Sequence, residues 1–242
     1  MHLLLTNDDG IDAPGLAALE SAVAGFDFVQ RVTVVAPDRG YSGCGHQVTN
    51  YSPLQVEETS PRHFKVFGTP ADCTRLGLLQ LASDVDVVLS GVNAGGNLGV
   101  DIYMSGTVAA IREAAWLGKP GIAISQYIRR DRERDWQKSA AMAARVFERL
   151  HPTVAAAASE SVGGVCDAFW NVNLPDVDTP AEETELVDAF PEPKHLGVDF
   201  VEQGDGSYRV ESDYRNRPRT VGSDVSHCFG GDISISRVPA NP

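Results

Sequence analysis

The strongest constraint on the fold lies at the N-terminus, where the apolar run Leu3-Leu4-Leu5 passes directly into Thr6-Asn7-Asp8-Asp9-Gly10. A short, continuously apolar run bounded by a glycine reads as an interior strand of a parallel sheet, covered on both faces. Ligand sites in open α/β sheets lie beyond the carboxyl ends of such strands, which is where Asp8 and Asp9 fall. Adjacent ionised carboxylates repel each other, and a divalent cation is the simplest way to keep both charged in a partly desolvated place. The competing reading is a turn with Asp9-Gly10 at its corner.

The first half of the chain repeats this alternation of strand and helix. Pro14 opens a helix with Leu16, Leu19 and Val23 on one face, and Val32 to Ala36 is a strand ended by Pro37-Asp38-Arg39-Gly40. Pro70 starts a helix with Cys73, Leu76 and Leu79 as core positions, followed by a strand from Val85 to Leu89. Ser105-Gly106-Thr107 leads a helix through Val108, Ile111 and Ala115, which Gly118-Lys119-Pro120 stops before a strand from Ile122 to Ser125. The charged run Arg129 to Asp135 reads as a solvated loop ahead of a helix carrying Ala140, Ala143, Ala144 and Phe147. This order predicts an α/β fold with a doubly wound, mostly parallel sheet.

Two stretches depart from the pattern. Patchy alternation from His46 to Phe67, around Pro53 and Pro61, predicts short antiparallel strands outside the main sheet. Beyond Val165 helix periodicity fades, and Val172 to Leu174, Val198 to Val201, Tyr208 to Val210 and Ile233 to Ile235 are predicted strands. They suggest a C-terminal antiparallel extension or arm on a single domain, with the core at about 1–175 and the extension at about 176–242.

A chain of 242 residues can build one such core without staples. Its net charge of -13 argues against DNA or RNA binding through a basic surface. No segment approaches the length of a membrane span, and no basic leader precedes the first strand, so the expectation is a cytoplasmic protein that does not engage membranes. Cys44, Cys73, Cys166 and Cys228 form no CxxC pair, which disfavours zinc and fits reduced thiols.

The loops Asn7 to Gly10, Asp38 to Gly43 and Asn93 to Asn97 each follow a predicted parallel strand, so they emerge on one edge. Their carboxylates, hydroxyl and amide carbonyls make a hard-oxygen set suited to magnesium, manganese or calcium. The glycine-rich segment Ser90 to Gly99 is not a dinucleotide fingerprint, because Asn93 occupies the second glycine position; by itself it reads as a connector. At the helix start, the backbone N–H groups and hydroxyls of Ser105-Gly106-Thr107 can hold a phosphate, although Ser105 and Thr107 also suit the plain role of N-caps. A hard cation beside an anion-binding helix end describes phosphoester chemistry. Ser42 is not in a GxSxG elbow, the six histidines form no triad, and His46 serves to orient a phosphate or as structure.

Five segments in order carry a resemblance: TNDDGIDAPG (Thr6 to Gly15), VVAPDRGYSGCGHQVT (Val34 to Thr49), GTPADC (Gly68 to Cys73), LSGVNAGGNLGVDIYMSGTVAA (Leu89 to Ala110) and NVNLP (Asn171 to Pro175). Over residues 1 to about 175 the chain resembles the SurE family of stationary-phase survival proteins, which are metal-dependent nucleotidases. The resemblance implies metal ligands at Asp8, Asp9, Ser42 and Asn93, with Asp8, Asp9 and Asn93 in the catalytic centre. It implies phosphate or substrate contacts at Asn97, Ser105, Gly106 and Thr107, and one magnesium or manganese ion per subunit. Hydrolysis of nucleoside 5′- and 3′-monophosphates is the implied activity, with polyphosphate an added substrate of some members. Dimers or tetramers are the implied assemblies. The last third matches only loosely, with Ser223 to His227 and Gly231 to Pro239 standing where the family has a longer segment, and the usual C-terminal helix is short or missing.

The leading reading is therefore a divalent-metal phosphomonoesterase acting on nucleotides, with Asp8 or Asp9 as base or nucleophile. A non-catalytic, metal- and nucleotide-binding sensory domain on the same fold is the alternative. A haloacid-dehalogenase-type phosphatase would need DxDx[TV] after the first strand, which the adjacent pair does not provide.

Overall fold

Leu3, Leu4 and Leu5 are fully buried because their strand has helices on both sides, and the alternation of side chains divides them between two cores. Leu3 and Leu5 face one cluster with Leu16, Leu19 and Phe147, while Leu4 faces the other with Val35, Val108 and Ile111. The computed structural model describes residues 1–129, 132–160 and 164–241. In chain order the elements are β1 (His2–Thr6), α1 (Pro14–Val23), β2 (Arg31–Pro37), β3 (Val56–Ser60), β4 (His63–Val66), α2 (Pro70–Leu76), β5 (Val87–Ala94) and α3 (Gly106–Trp116). They continue with β6 (Gly121–Gln126), α4 (Trp136–Glu160), β7 (Ala168–Leu174), β8 (Leu186–Asp188), β9 (Asp199–Glu202), β10 (Tyr208–Glu211), α5 (Asp224–Gly230) and β11 (Ile233–Pro239). Residues 130 and 131 of the charged run lie outside the described residues.

The main sheet has the order β3-β4-β2-β1-β5-β6-β7-β11-β8. From β4 to β7 neighbours are parallel, with α1 and α4 on one face and α2 and α3 on the other, as the alternation of strands and helices predicts. The chain goes one way from β1 to β2 and returns to β5 on the other side of β1. That makes the gap between the ends of β1 and β5 the topological switch point, where such sheets bind ligands. The predicted C-terminal antiparallel extension is present: β11 runs antiparallel to β7 as part of the main sheet, and β9 pairs with β10 as a separate two-stranded arm.

Three expectations need correction. The strands expected outside the sheet between His46 and Phe67 are part of it: β4 joins β2 in parallel and β3 closes that edge antiparallel, because unpaired main-chain groups at β2 find partners there. Leu79 is exposed, because the helix from Pro70 continues beyond Leu76 as a wider turn over Gly77 to Leu81, which turns Leu78 inward instead. β5 ends at Ala94 and not at Leu89, so Asn93 belongs to a strand end.

Candidate active site at the switch point

Asn7 builds the turn after β1: its amide nitrogen donates to Gly10 O at 2.8 Å and its amide oxygen accepts from Gly10 N at 3.2 Å. Gly10 has φ +107°, and a side chain there would meet the Arg39 backbone at 3.2 Å. The turn aims Asp8 at the start of α3, where Thr107 Oγ1 donates to Asp8 Oδ1 at 2.5 Å. A Cβ at Gly106 would lie 2.9 Å from Asp8 Cβ and 3.0 Å from both Asp8 Oδ2 and Cys44 Sγ, so only glycine lets the carboxylate sit at this helix end. The positive end of α3 favours an anion there.

Asp9 turns the other way. Its Oδ2 accepts from Ala94 N at 3.0 Å, which ties the β1 turn to the end of β5. Asn93, one residue earlier, donates its side-chain nitrogen to Gly95 O at 2.7 Å, leaving its amide oxygen as the end that can serve a cation. The Ser42 loop is bound to the same centre through Tyr41 N, which donates to Asp8 O at 2.7 Å, and through Gly45 N, which donates to Met104 O at 3.1 Å. Ser42 itself is exposed in that loop.

Asp8 is 4% exposed. Burial pushes its pKa from 3.8 up to about 6; the Thr107 hydrogen bond opposes the rise and the charge of Asp9 adds to it. Burial likewise raises the Cys44 thiol, aided by Asp8, so it is no thiolate nucleophile. Among the described residues no three His, Cys, Asp or Glu side chains gather in a metal-binding group. The candidate set instead combines two carboxylates with a hydroxyl and an amide. A buried carboxylate beside a second carboxylate, held by a neutral hydroxyl, fits a hard divalent cation.

The remaining expected residues have other partners. Ser105 caps α3, its Oγ accepting from Val108 N at 3.1 Å. Asn97 is buried, with its side-chain nitrogen on Ser125 Oγ at 2.8 Å. His46 is structural: its Nε2 pairs with Glu113 Oε2 at 2.8 Å and its ring stacks on Trp116. Burial works against ionisation of Glu113, but hydrogen bonds from His46 and Arg75 hold its pKa below the ordinary range. On the other side of Asp9 lies a depression that also includes Asp38, Arg39, Arg134 and Trp136.

The profile of the family described as Survival protein SurE matches residues 3–203. The chain belongs to the SurE family. A Nostoc sp. protein named as a candidate 5′-nucleotidase is 46% identical over 239 residues, 98% of this chain and 99% of its own. The 5′-nucleotidase SurE of Citrifermentans bemidjiense is 42% identical over 240 residues, with coverage of 98% and 92%. The crystal structure of SurE from Aquifex aeolicus superposes with a TM-score of 0.83 at 30% identity, covering 100% of this chain and 94% of that one. The SurE fold therefore carries the Asp8-Asp9 turn at its switch point in this chain.

Sequence reading did not foresee the Thr107 to Asp8 bond or the side chains that grip the glycine-rich loop. Asn171 and Asn173 carried a signal, as two amides on one face of an otherwise apolar strand. Tyr214 and Arg217 carried none, because the loop atoms they hold are more than 100 residues away, while Asp224 lies in the Ser223 to His227 stretch that matches the family only loosely.

Proposed function

We propose that this chain is a 5′-nucleotidase, a divalent-metal-dependent phosphomonoesterase that also accepts nucleoside 3′-monophosphates. The observation that carries the reading is the buried Asp8 beside Asp9 at the switch point of a SurE fold. Relatives named 5′-nucleotidase SurE support the substrate class.

In this reading Asp8, Asp9, Ser42 and Asn93 hold one magnesium or manganese ion per subunit. Such a cation, when bound, neutralises phosphoryl charge and lowers the pKa of water. Thr107 keeps the Asp8 carboxylate oriented, and the Ala94 amide does the same for Asp9. The start of α3 at Gly106, whose helix N–H groups favour negative charge, receives the phosphate beside Asp8. Ser105, Thr107 and Asn97 line that place. Arg39 and Arg134, around the depression beside Asp9, draw an anionic substrate toward a protein of net charge -13. Asp8 or Asp9 accepts the proton of the attacking water.

The proposal includes assembly as a homodimer or homotetramer through the region between about Pro175 and Pro218. Phe200, Tyr208 and Val210 are 60–66% exposed on one face of the β9–β10 arm, and an isolated two-stranded ribbon is marginal in water.

Phosphate release from AMP, GMP and p-nitrophenyl phosphate, with manganese or magnesium and then with chelator, tests the function. Metal-dependent release from the nucleotides is expected. Nucleotide-dependent thermal stabilisation without phosphate release would instead identify a binding domain.

A further inference from the structure

The loop after β5 holds Gly95, Gly96 and Gly99, and a segment this rich in glycine has little conformational preference of its own. Its shape is imposed from outside. Asn97 N donates to Asn173 Oδ1 at 2.8 Å, and Asn97 O accepts from Asn171 Nδ2 at 2.8 Å and Asn173 Nδ2 at 3.0 Å. Gly96 O accepts from Tyr214 Oη at 3.2 Å, Leu98 O accepts from Arg217 at 2.9 Å, and Gly99 N donates to Asp224 Oδ2 at 2.8 Å. From Gly96 to Gly99 the main chain is thus held by β7 and by the segment that follows the β9–β10 arm. Arg217 and Asp224 lie beyond the residues matched by the family profile.

The grip is made mainly by buried polar side chains. Arg217 is buried, with one guanidinium nitrogen on Asp101 at 2.6 Å, its plane over the Tyr214 ring and its Nε without a partner. Asn171 Oδ1 is also buried and unpartnered. Apolar side chains in these places would leave Asn97 N and O, Leu98 O and the Asp101 carboxylate without these partners, so what these residues provide is the fixed position of the loop. The loop in turn fixes Asn93, whose amide donates to Gly95 O.

We infer that Asn173 and Arg217, helped by Asn171 and Tyr214, are positioning residues for the phosphatase reaction: they hold the loop that sets the Asn93 amide oxygen beside Asp8 and Asp9. The inference rests on the proposed role of Asn93 as a cation ligand.

The test uses the full chain and compares Asn93→Ala, Asn173→Asp, Arg217→Met, Arg217→Lys and Tyr214→Phe. Manganese affinity is measured by titration calorimetry without nucleotide, kcat and KM with AMP, and melting temperature in chelator. Asn173→Asp and Arg217→Met should lower manganese affinity and kcat by roughly 10-fold or more, with KM changed far less, in protein that remains folded at the assay temperature. Arg217→Lys, which keeps the charge for Asp101, should recover part of the loss. Tyr214→Phe deletes a single hydroxyl and should show the same pattern more weakly. Folded Asn173→Asp and Tyr214→Phe proteins with wild-type kcat and manganese affinity would overturn the inference while an impaired Asn93→Ala upholds the metal reading. A wild-type-like Asn93→Ala would sink the metal reading itself. If the Asn173 and Arg217 variants do not fold, Tyr214→Phe decides: wild-type kcat and manganese affinity overturn the inference, and a fall in both supports it.

Discussion

Asp8 shows what one buried carboxylate does to the energetics of this fold. Its pKa of about 6 in the folded chain stands above the ordinary 3.8, so the folded state binds that proton more tightly than the unfolded one. The contribution favours folding below about pH 4 and is lost as pH rises to about 6. For metal-free protein, melting temperature in chelator should therefore fall across this window, and Asp8→Asn should flatten the fall. The same variant should abolish phosphate release yet be as stable as wild type or more so near pH 7, by on the order of 1 kcal/mol. A clearly less stable but still active Asp8→Asn protein would refute a functional role for the pair. Thr107 gives a second prediction, since its hydroxyl proton is committed to Asp8. Thr107→Val should raise the Asp8 pKa further and weaken manganese binding near pH 6 more than near pH 8, measured by calorimetry at both values.

At the scale of elements, the start of α3 is limited by contact distance. Alanine is ordinarily better than glycine in a helix by about 1 kcal/mol. At Gly106 the added Cβ would lie within 3.0 Å of the Asp8 carboxylate and Cys44, so Gly106→Ala should lower kcat sharply and cost about 1–3 kcal/mol in chemical denaturation. An active, stabilised Gly106→Ala protein would show that α3 and Asp8 can separate freely. Ser42→Ala and Asn93→Ala change loop and strand-end positions placed by the scaffold. Each should weaken metal binding and turnover with little change in melting temperature.

For the whole molecule, chelator should remove activity, and manganese or magnesium, but not calcium alone, should restore it, because calcium's looser coordination organises in-line attack less well. Full activity in excess EDTA would end the metal mechanism. Light scattering at micromolar concentration should give at least a dimer, and Phe200→Glu should shift it toward monomer by putting charge on the apolar face of the arm. A wild-type monomer would remove the arm from the account. Among the described residues no helix is long and apolar enough to cross a membrane.

Local sequence by itself determined the alternation of strands and helices and the parallel core, since continuous apolar runs and helix periodicity depend on near neighbours in the chain. It also identified the carboxylate pair as the place to look, because adjacent Asp residues after a buried strand conflict with burial unless something compensates them. Only the tertiary structure decided that β3 and β4 join the sheet, where main-chain groups at β2 find partners, and that Leu79 faces solvent, where the wider turn after α2 carries Leu78 inward. Only the fold could give Thr107 to Asp8, 99 residues apart, and Arg217 to Leu98, 119 residues apart. Such pairs leave no periodicity, and chain closure at that separation is fixed by the packing of the sheet as a whole.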